Sequence, residues 1–452
     1  MKQIGFTNFR KFEQFPTLDI NDITFIVGSN NSGKSTMVKA IMLVYDNLRS
    51  LRSFQKDDKW ETPKFKFDAN KTRDLHIGTF WRALNYRAKE RGEESITFVA
   101  TLNQITYEVE VVSNEDVNDN AYETRAPIAR ITITDHKNKA RIVIDYARKM
   151  LSAVVGIGST PQTITDNLDK FMSFAYNNDI LNRLYALSSV WEGHTEEIKQ
   201  IIADVLASLG DNYIEYFYAH GVTQKIVYSY EDRNDYIATI IHEYENERSH
   251  FNKEEKNFMS YWMTQFGIAK DIKINSVSGS AFSVALFDSQ YPKEGINLVD
   301  IGMGYIQLIL LLLKLNTFIS RNRRKNNKAT LIIIEEPEQN LHPRLQSMLT
   351  NLFYEINKVH GIRLLVETHS EYIIRAAQVF VGDYGYKSQE ELSEDSPFSV
   401  YYFPETNELP YDMEFLPTGA FRRKFGKGFF DEAGSLSMTV MRREDEADDE
   451  NM

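Results

Sequence analysis

The chain has 452 residues, 42% apolar and 26% charged, which allows a large packed core and argues against wholesale disorder. The net charge of −12 means that contact with nucleic acid needs a local basic patch, because the overall field repels phosphate. There is no cysteine, so disulfides, thiolate nucleophiles and Cys-ligated zinc are excluded, in keeping with a reducing cytosol.

At this length, two or three domains are expected. The opening MKQIGFTNFRKF carries polar residues too early for a secretory segment. The most apolar run, Ile306 to Leu313, is interrupted by Gln307 and stopped by Lys314, well short of the roughly 20 residues that span a bilayer. We read it as a buried core helix and expect a cytoplasmic protein with no membrane contact.

Residues 1–150 read as β-rich. Ile23 to Val27 is a short apolar strand leading into a glycine-rich turn, and Ser95–Val112 and Ala129–Tyr146 alternate as strands do. Residues 151–271 read as a helical insertion, with Leu168, Phe171, Met172 and Tyr176, then Ile198, Ile201, Ile202, Val205 and Leu206, at helical spacing. Residues 272–440 begin as strand and then alternate helix, strand Leu331–Ile334, helix, strand Arg363–Glu367 and helix, the pattern of a parallel sheet. Residues 441–452 read as an acidic, disordered tail, and RNRRKNNK (321–328) as a basic loop.

Gly28-Ser29-Asn30-Asn31-Ser32-Gly33-Lys34-Ser35 fits the phosphate-loop pattern G-x-x-x-x-G-K-[ST], between a strand and the helix that opens at Thr36. The two glycines let successive N–H groups turn inward, and the helix amino terminus adds its positive dipole end. Lys34 supplies a point charge for the β- and γ-phosphates of ATP, and Ser35 a hydroxyl for Mg²⁺. Further along, the strand Leu331–Ile334 ends in Glu335 and Glu336, whose side chains point apart and can divide the work. Glu335 suits Mg²⁺ through water, and Glu336 suits the attacking water as its base. The next strand delivers His369, able to donate to a γ-phosphate. Asp300-Ile301-Gly302-Met303-Gly304-Tyr305-Ile306-Gln307 opens an apolar helix with two glycines, a second anion cradle that makes sense if it caps the nucleotide of a neighbouring molecule.

Together GFTNFRKF, GSNNSGKST, DIGMGYIQ, IIIEEPEQNLHP and VETHSEYIIR resemble the ABC-type ATPases of the structural-maintenance-of-chromosomes (SMC), RecF and overcoming-lysogenization-defect (OLD) group. Within that group the chain is similar to compact AAA-like ATPases of prokaryotic phage defence, such as the ATPase subunits of the Septu and PARIS systems. FGKGFFDEA (425–433) adds to the likeness. The resemblance implies an α/β, P-loop NTPase fold with an ABC-type core, a β-rich amino-terminal lobe and a parallel-sheet lobe. It places Asn8 and Arg10 near the nucleotide, and Asp300, Gly302, Gly304 and Gln307 on a signature acting across a dimer. Leu341, His342 and Pro343 fall on the dimer-contacting loop, and His369 on the switch histidine. Ile306 departs from the usual serine, and no multi-acidic nuclease pattern follows His369, so an effector is expected on a separate protein. The expected function is a Mg²⁺-dependent ATPase that forms at least a dimer around ATP and switches that effector. A RecF-like DNA-binding ATPase, with 321–328 and Arg422–Lys424 as contacts, and an ATP-stabilised scaffold stay open as alternatives.

Overall fold

The structure is a computed structural model that describes residues 1–50, 63–68, 77–113, 124–155, 162–167, 195–218, 224–232, 235–288, 293–325, 330–405, 408–426 and 429–450. The chain forms two compact units that interleave along the sequence. One comprises Met1–Asn21, Ser35–Tyr216 and Asn327–Ile333, the other Asp22–Lys34, Phe217–Asn326 and Ile334–Met452.

The first unit is built on an antiparallel sheet. Its strands are β1 (Gln3–Phe9), β2 (Phe12–Asp19), β4 (Lys64–Lys66), β5 (Ser95–Leu102), β6 (Ile105–Val112), β7 (Arg125–Asp135), β8 (Ala140–Asp145), β9 (Met150–Val155) and β10 (Gln162–Asn167). The order is β10-β9-β8-β7-β6-β5-β1-β2, with β4 on β7. In β6, Ile105, Tyr107, Val109 and Val111 are buried and alternate with half-buried Thr106, Glu108 and Glu110, as expected of a sheet with one face packed. Helix α4 (Thr195–Asp211) buries Ile201, Ile202, Val205 and Leu209, and Tyr107 Oη hydrogen-bonds with Ser208 Oγ on it.

The second unit centres on β3 (Ile23–Gly28), every residue of which is buried. Strand β17 (Arg363–Thr368) lies parallel on one side of it and β18 (Phe398–Phe403) parallel on the other, bringing Thr368 opposite Val27 and Phe403 opposite Gly28. With β11 (Tyr213–Tyr218), β16 (Thr330–Glu335) and β19 (Tyr411–Asp412), the strand order is β11-β16-β17-β3-β18-β19. The runs TLIIIE and FSVYYF are buried throughout, which is how strands of a covered parallel sheet read. A smaller sheet has the order β12 (Tyr228–Ser229), β14 (Ala281–Phe287), β13 (Asp271–Ser278), with β15 (Ile296–Asn297) on β14. The fold is α/β, with the P-loop arrangement of strand β3, glycine turn and helix α1 (Lys34–Ser50).

The remaining helices are α2 (Phe80–Ala83), α3 (Tyr86–Glu90), α5 (Tyr236–Arg248), α6 (Lys253–Gln265), α7 (Met303–Arg324), α8 (Pro343–His360), α9 (Glu371–Tyr384), α10 (Gln389–Asp395) and α11 (Glu432–Glu450). Helix α7 is long and apolar enough to cross a membrane, but 78% of its apolar window is buried within the protein. Helix α8 starts at Pro343, where the missing N–H costs nothing, and stops at Gly361 with φ 63°.

Several sequence expectations change. Residues 151–271 are not uniformly helical: β9 and β10 continue the antiparallel sheet, and β11 and β12 follow α4. Leu151 and Ala153 are buried on one face of β9, a period-two pattern too short to stand out in the sequence. Leu168, Phe171, Met172 and Tyr176 lie outside the described residues. The tail from 441 is helix up to Glu450 rather than irregular chain. In the basic segment, Arg321, Arg323 and Arg324 form the last turns of α7 and are engaged with acids of α5 and α6. Arg323 grips Glu255 through two hydrogen bonds of 2.7 and 3.1 Å, and Arg324 grips Glu247 at 2.8 and 2.7 Å. Residues 326–328 lie outside the described residues. Arg422 pairs with Glu414 at 3.2 Å, and Arg423 lies over the Tyr411 ring.

Candidate nucleotide-binding site

The site grows from the carboxyl ends of β3 and β17 and from the end of β16, where Ile334 and Glu335 belong to the second unit. After β3 the chain must turn sharply into α1. Gly28 takes φ 151° and Gly33 φ 109°, with Asn31 left-handed at 60° between them. A Cβ at Gly28 would stand 2.3 Å from Phe403 O, so no larger residue fits where β3 meets β18. Ser29 Oγ and Ser32 Oγ are buried and find no hydrogen-bond partner among the described residues. Orphaned hydroxyls on a glycine turn at a helix amino terminus suit an anion that brings its own acceptors. Asn30 is exposed, as is Ser35, while Thr36 is buried.

Lys34 is almost fully buried. Its ammonium donates to Gly28 O and Ser29 O, both at 2.8 Å, and stands 4.0 Å from Glu367 Oε1. Burial lowers its pKa, and Glu367, Glu336, Glu338 and Glu335 pull it back up. The lysine therefore sits folded onto its own loop, facing a wall of carboxylates.

That wall is made by β16 and β17. Glu335, the last residue of β16, is buried. Glu336 turns out of the strand at φ 43°, a left-handed conformation costing about 1–3 kcal/mol in a non-glycine residue. Its N–H is fixed to Glu367 O at 2.8 Å, and its carboxylate accepts from Gln339 Nε2. His369 Nε2 lies 3.8 Å from Glu336 Oε1. Burial lowers the His369 pKa, Lys34 pushes the same way and Glu336 opposes, so the ring is held neutral below the usual imidazole range. Glu338 accepts the His369 backbone N–H at 2.6 Å, and its burial raises its carboxyl above the ordinary carboxylate value.

The signature segment lies in the same unit. Asp300 ends a 3₁₀ turn (Leu298–Asp300) and is exposed, and Gly302 is the exposed N-cap of α7 with no side-chain cap. A Cβ at Gly304 would stand 2.4 Å from Asn340 O, and Asn340 Nδ2 donates to Gln307 Oε1 at 3.2 Å. Helix α7 is thus pressed against the loop that precedes α8. Ile306, at the position where a serine was expected, is wholly buried, so that side chain belongs to the core.

Asn8 and Arg10 stand in the first unit, both left-handed at the β1–β2 turn, with φ 58° and 52°. Asn8 Nδ2 donates to Glu93 Oε2 at 3.1 Å and to Ser95 O at 3.2 Å, and Arg10 O accepts from Asn85 Nδ2 at 2.7 Å. Among the described residues no group of three or more His, Asp or Glu could hold a metal unaided. That is compatible with Mg²⁺ on a P-loop, which keeps waters and substrate oxygens in its shell. Two acids went unassigned in the sequence. Glu338 is the third acid of EEPE, and Glu367 lies near the end of β17, two residues before His369. Either spacing could have flagged them.

A sequence model of the family described as AAA ATPase domain matches residues 1–374. The chain belongs to this family. The match takes in the candidate site residues from Asn8 to His369 and ends within the first turn of α9. The chain is also 22% identical over 431 residues to Endonuclease GajA of Bacillus cereus (strain HuB5-5), covering 83% of this chain and 58% of that protein. It thus spans little more than half the length of this relative. Two solved structures overlap most of the chain. An SMC head bound to the C-winged helix domain of ScpA gives a TM-score of 0.38 at 12% identity, covering 91% of this chain and 96% of the other. The SMC head domain from Thermotoga maritima gives 0.32 at 10%, covering 92% and 98%.

Proposed function

We propose that this AAA ATPase domain is a Mg²⁺-dependent ATP hydrolase. The reading is carried by one observation: Lys34, Glu335, Glu336, Glu338, Glu367 and His369 converge at the carboxyl edge of one parallel sheet, beside a glycine turn with orphaned hydroxyls. The backbone of Gly28 to Lys34 would receive the phosphates. Lys34 would exchange its bonds to Gly28 O and Ser29 O for phosphate oxygens. Ser35 and Glu335 would hold Mg²⁺, which supplies positive charge for the phosphate oxygens when bound. Glu336, whose carboxylate is oriented by Gln339, would hold the proton taken from the attacking water. His369, kept neutral, can donate one ring N–H toward the γ-phosphate. Asn8 and Arg10 are assigned to the nucleotide on resemblance alone.

The exposed Gly302 end of α7 would close the site of a second copy, giving at least a dimer around ATP. Gly304 and Gln307 would set that end through Asn340. The coupled output would be a switch, because γ-phosphate contacts favour one assembly state over another. We place the switch in cytoplasmic phage defence, of the kind served by Septu and PARIS ATPase subunits, controlling an effector such as a nuclease or toxin. The motif resemblance and the match to a relative named Endonuclease GajA support this placement. The reading as a RecF-like DNA binder loses support, because Arg321, Arg323, Arg324 and Arg422 are engaged by acids. Lys34→Ala is expected to abolish ATP binding by isothermal titration while the protein stays folded. Unchanged affinity would refute the assignment.

A further inference from the structure

Two side chains near the site have partners that nucleotide binding alone does not require. Glu338 is buried, yet its carboxylate is used on a backbone group: Oε1 accepts the His369 N–H at 2.6 Å. Gln346, in the first turns of α8, makes a second tie. Its Nε2 donates to Leu341 O at 2.8 Å, and its Oε1 accepts the Ser370 hydroxyl at 2.5 Å. Ser370 Oγ in turn accepts the Ile373 N–H at 3.2 Å and so caps α9. The loop 336–343 is therefore tied to the turn 368–370 directly through Glu338 and indirectly through Gln346, which bridges Leu341 O and Ser370. The same loop carries Gln339, which orients Glu336, and Asn340, which holds the signature helix through Gln307.

We propose that Glu338 and Gln346 are positioning residues that fasten the 336–343 loop to the His369 turn, so that the imidazole and the Glu336 carboxylate keep one geometry and movement of either loop is passed to the other. A buried carboxylate is an expensive way to hold a turn, since its charge must be desolvated. It is a strong way to fix it, because a charge-assisted bond is shorter and roughly twice as strong as a neutral one. Only the kinetic consequence rests on the ATPase reading. The tie itself is a matter of hydrogen bonds within the chain.

The test uses the full chain with Glu338→Ala, Glu338→Gln and Gln346→Ala. Each is read by the NMR titration of the His369 imidazole without nucleotide and by steady-state ATP turnover. Glu338→Gln keeps an acceptor for the His369 N–H without the charge, and should leave the His369 titration between those of the parent and Glu338→Ala. Glu338→Ala should release the turn and expose the ring further, moving its titration up toward the ordinary imidazole value. It should lower kcat by about 10- to 100-fold with little change in KM, as expected when a catalytic group is misplaced by about an ångström. Gln346→Ala should move both readouts in the same direction. If Glu338→Gln moves the His369 titration as far as Glu338→Ala does, an acceptor at this position does not fix the turn and the positioning role is wrong. Identical titration of His369 in the parent and all three variants would overturn the positioning role as well. If the titrations behave as expected while the parent hydrolyses no ATP, the tie stands and the ATPase reading falls.

Discussion

Replacing Glu336 by glutamine isolates the chemistry from the architecture. The side chain keeps its length, so the left-handed turn at φ 43° and the N–H bond to Glu367 O are untouched. The new amide oxygen can still accept from Gln339 Nε2. Lys34 loses one of the four carboxylates around it but keeps Glu367, the strongest of them, at 4.0 Å. ATP affinity should therefore hold within a few-fold. What disappears is a group able to take a proton from water. A positioned general base contributes about 10²- to 10⁴-fold, or about 2.7–5.4 kcal/mol at 1.36 kcal/mol per tenfold. Phosphate release at saturating ATP and Mg²⁺ measures kcat, and calorimetry measures binding. A slow variant that binds ATP normally fits the assignment. Hydrolysis at the parent rate would show that Glu336 is not the base.

Two further outcomes concern stability. Glu247 is buried and receives Arg324 through two bonds, the Ser320 hydroxyl at 2.9 Å and Arg321 at 3.7 Å. Glu247→Ala leaves the buried Ser320 hydroxyl without its acceptor and should cost about 1–3 kcal/mol by denaturant unfolding, whereas removing Glu245, paired on the surface with Arg248 at 3.1 Å, should cost under about 1 kcal/mol; equal losses would contradict the buried network. His360 is held below its ordinary value of 6.5 by burial, with Glu254 and Glu255 opposing. Because the folded state resists a proton that the unfolded chain accepts, stability should decline as pH falls below about 6.5. Melting curves of His360→Gln should show a shallower decline, and an unchanged slope would refute the burial argument.

The parts of the molecule most legible in the sequence are those whose chemistry forces residue type and spacing together. The phosphate loop needs glycine at 28 and 33, and the structure shows why: φ values of 151° and 109°, and Phe403 where a Cβ would go. The apolar strand ending in Glu335 and Glu336 and the strand delivering His369 stand out because parallel strands covered on both faces read as unbroken apolar runs. Strand β18 falls beyond the motifs and does not stand out, though its run FSVYYF is equally buried. Strands β9 and β10 are masked in a stretch that reads as helix, since six-residue alternations carry little signal beside α4. The pairing of the arginines of the basic segment with acids is equally invisible in the sequence. Arg323 and Arg324 look free there, and only the fold brings Glu255 and Glu247 to them. Glu338 is visible as a letter, but its bond to the backbone of a residue 31 positions away is not.

The central claim is that one copy grips the nucleotide while another copy's Gly302 end completes the site, and mixing two inactive variants tests it most directly. Lys34→Ala removes the grip. Gly302→Asp places a negative charge at the end of α7, where a Cβ meets nothing within 4 Å and φ −62°, ψ 144° suits any residue. Aspartate is a good N-cap, so this variant should fold at least as well as the parent. Each protein alone should hydrolyse no ATP. Mixed in equal amounts and allowed to exchange, half of the dimers should carry one intact composite site of two, restoring about a quarter of the parent activity. No recovery on mixing, with exchange confirmed by mass spectrometry, or full activity of Gly302→Asp alone, would contradict the composite site.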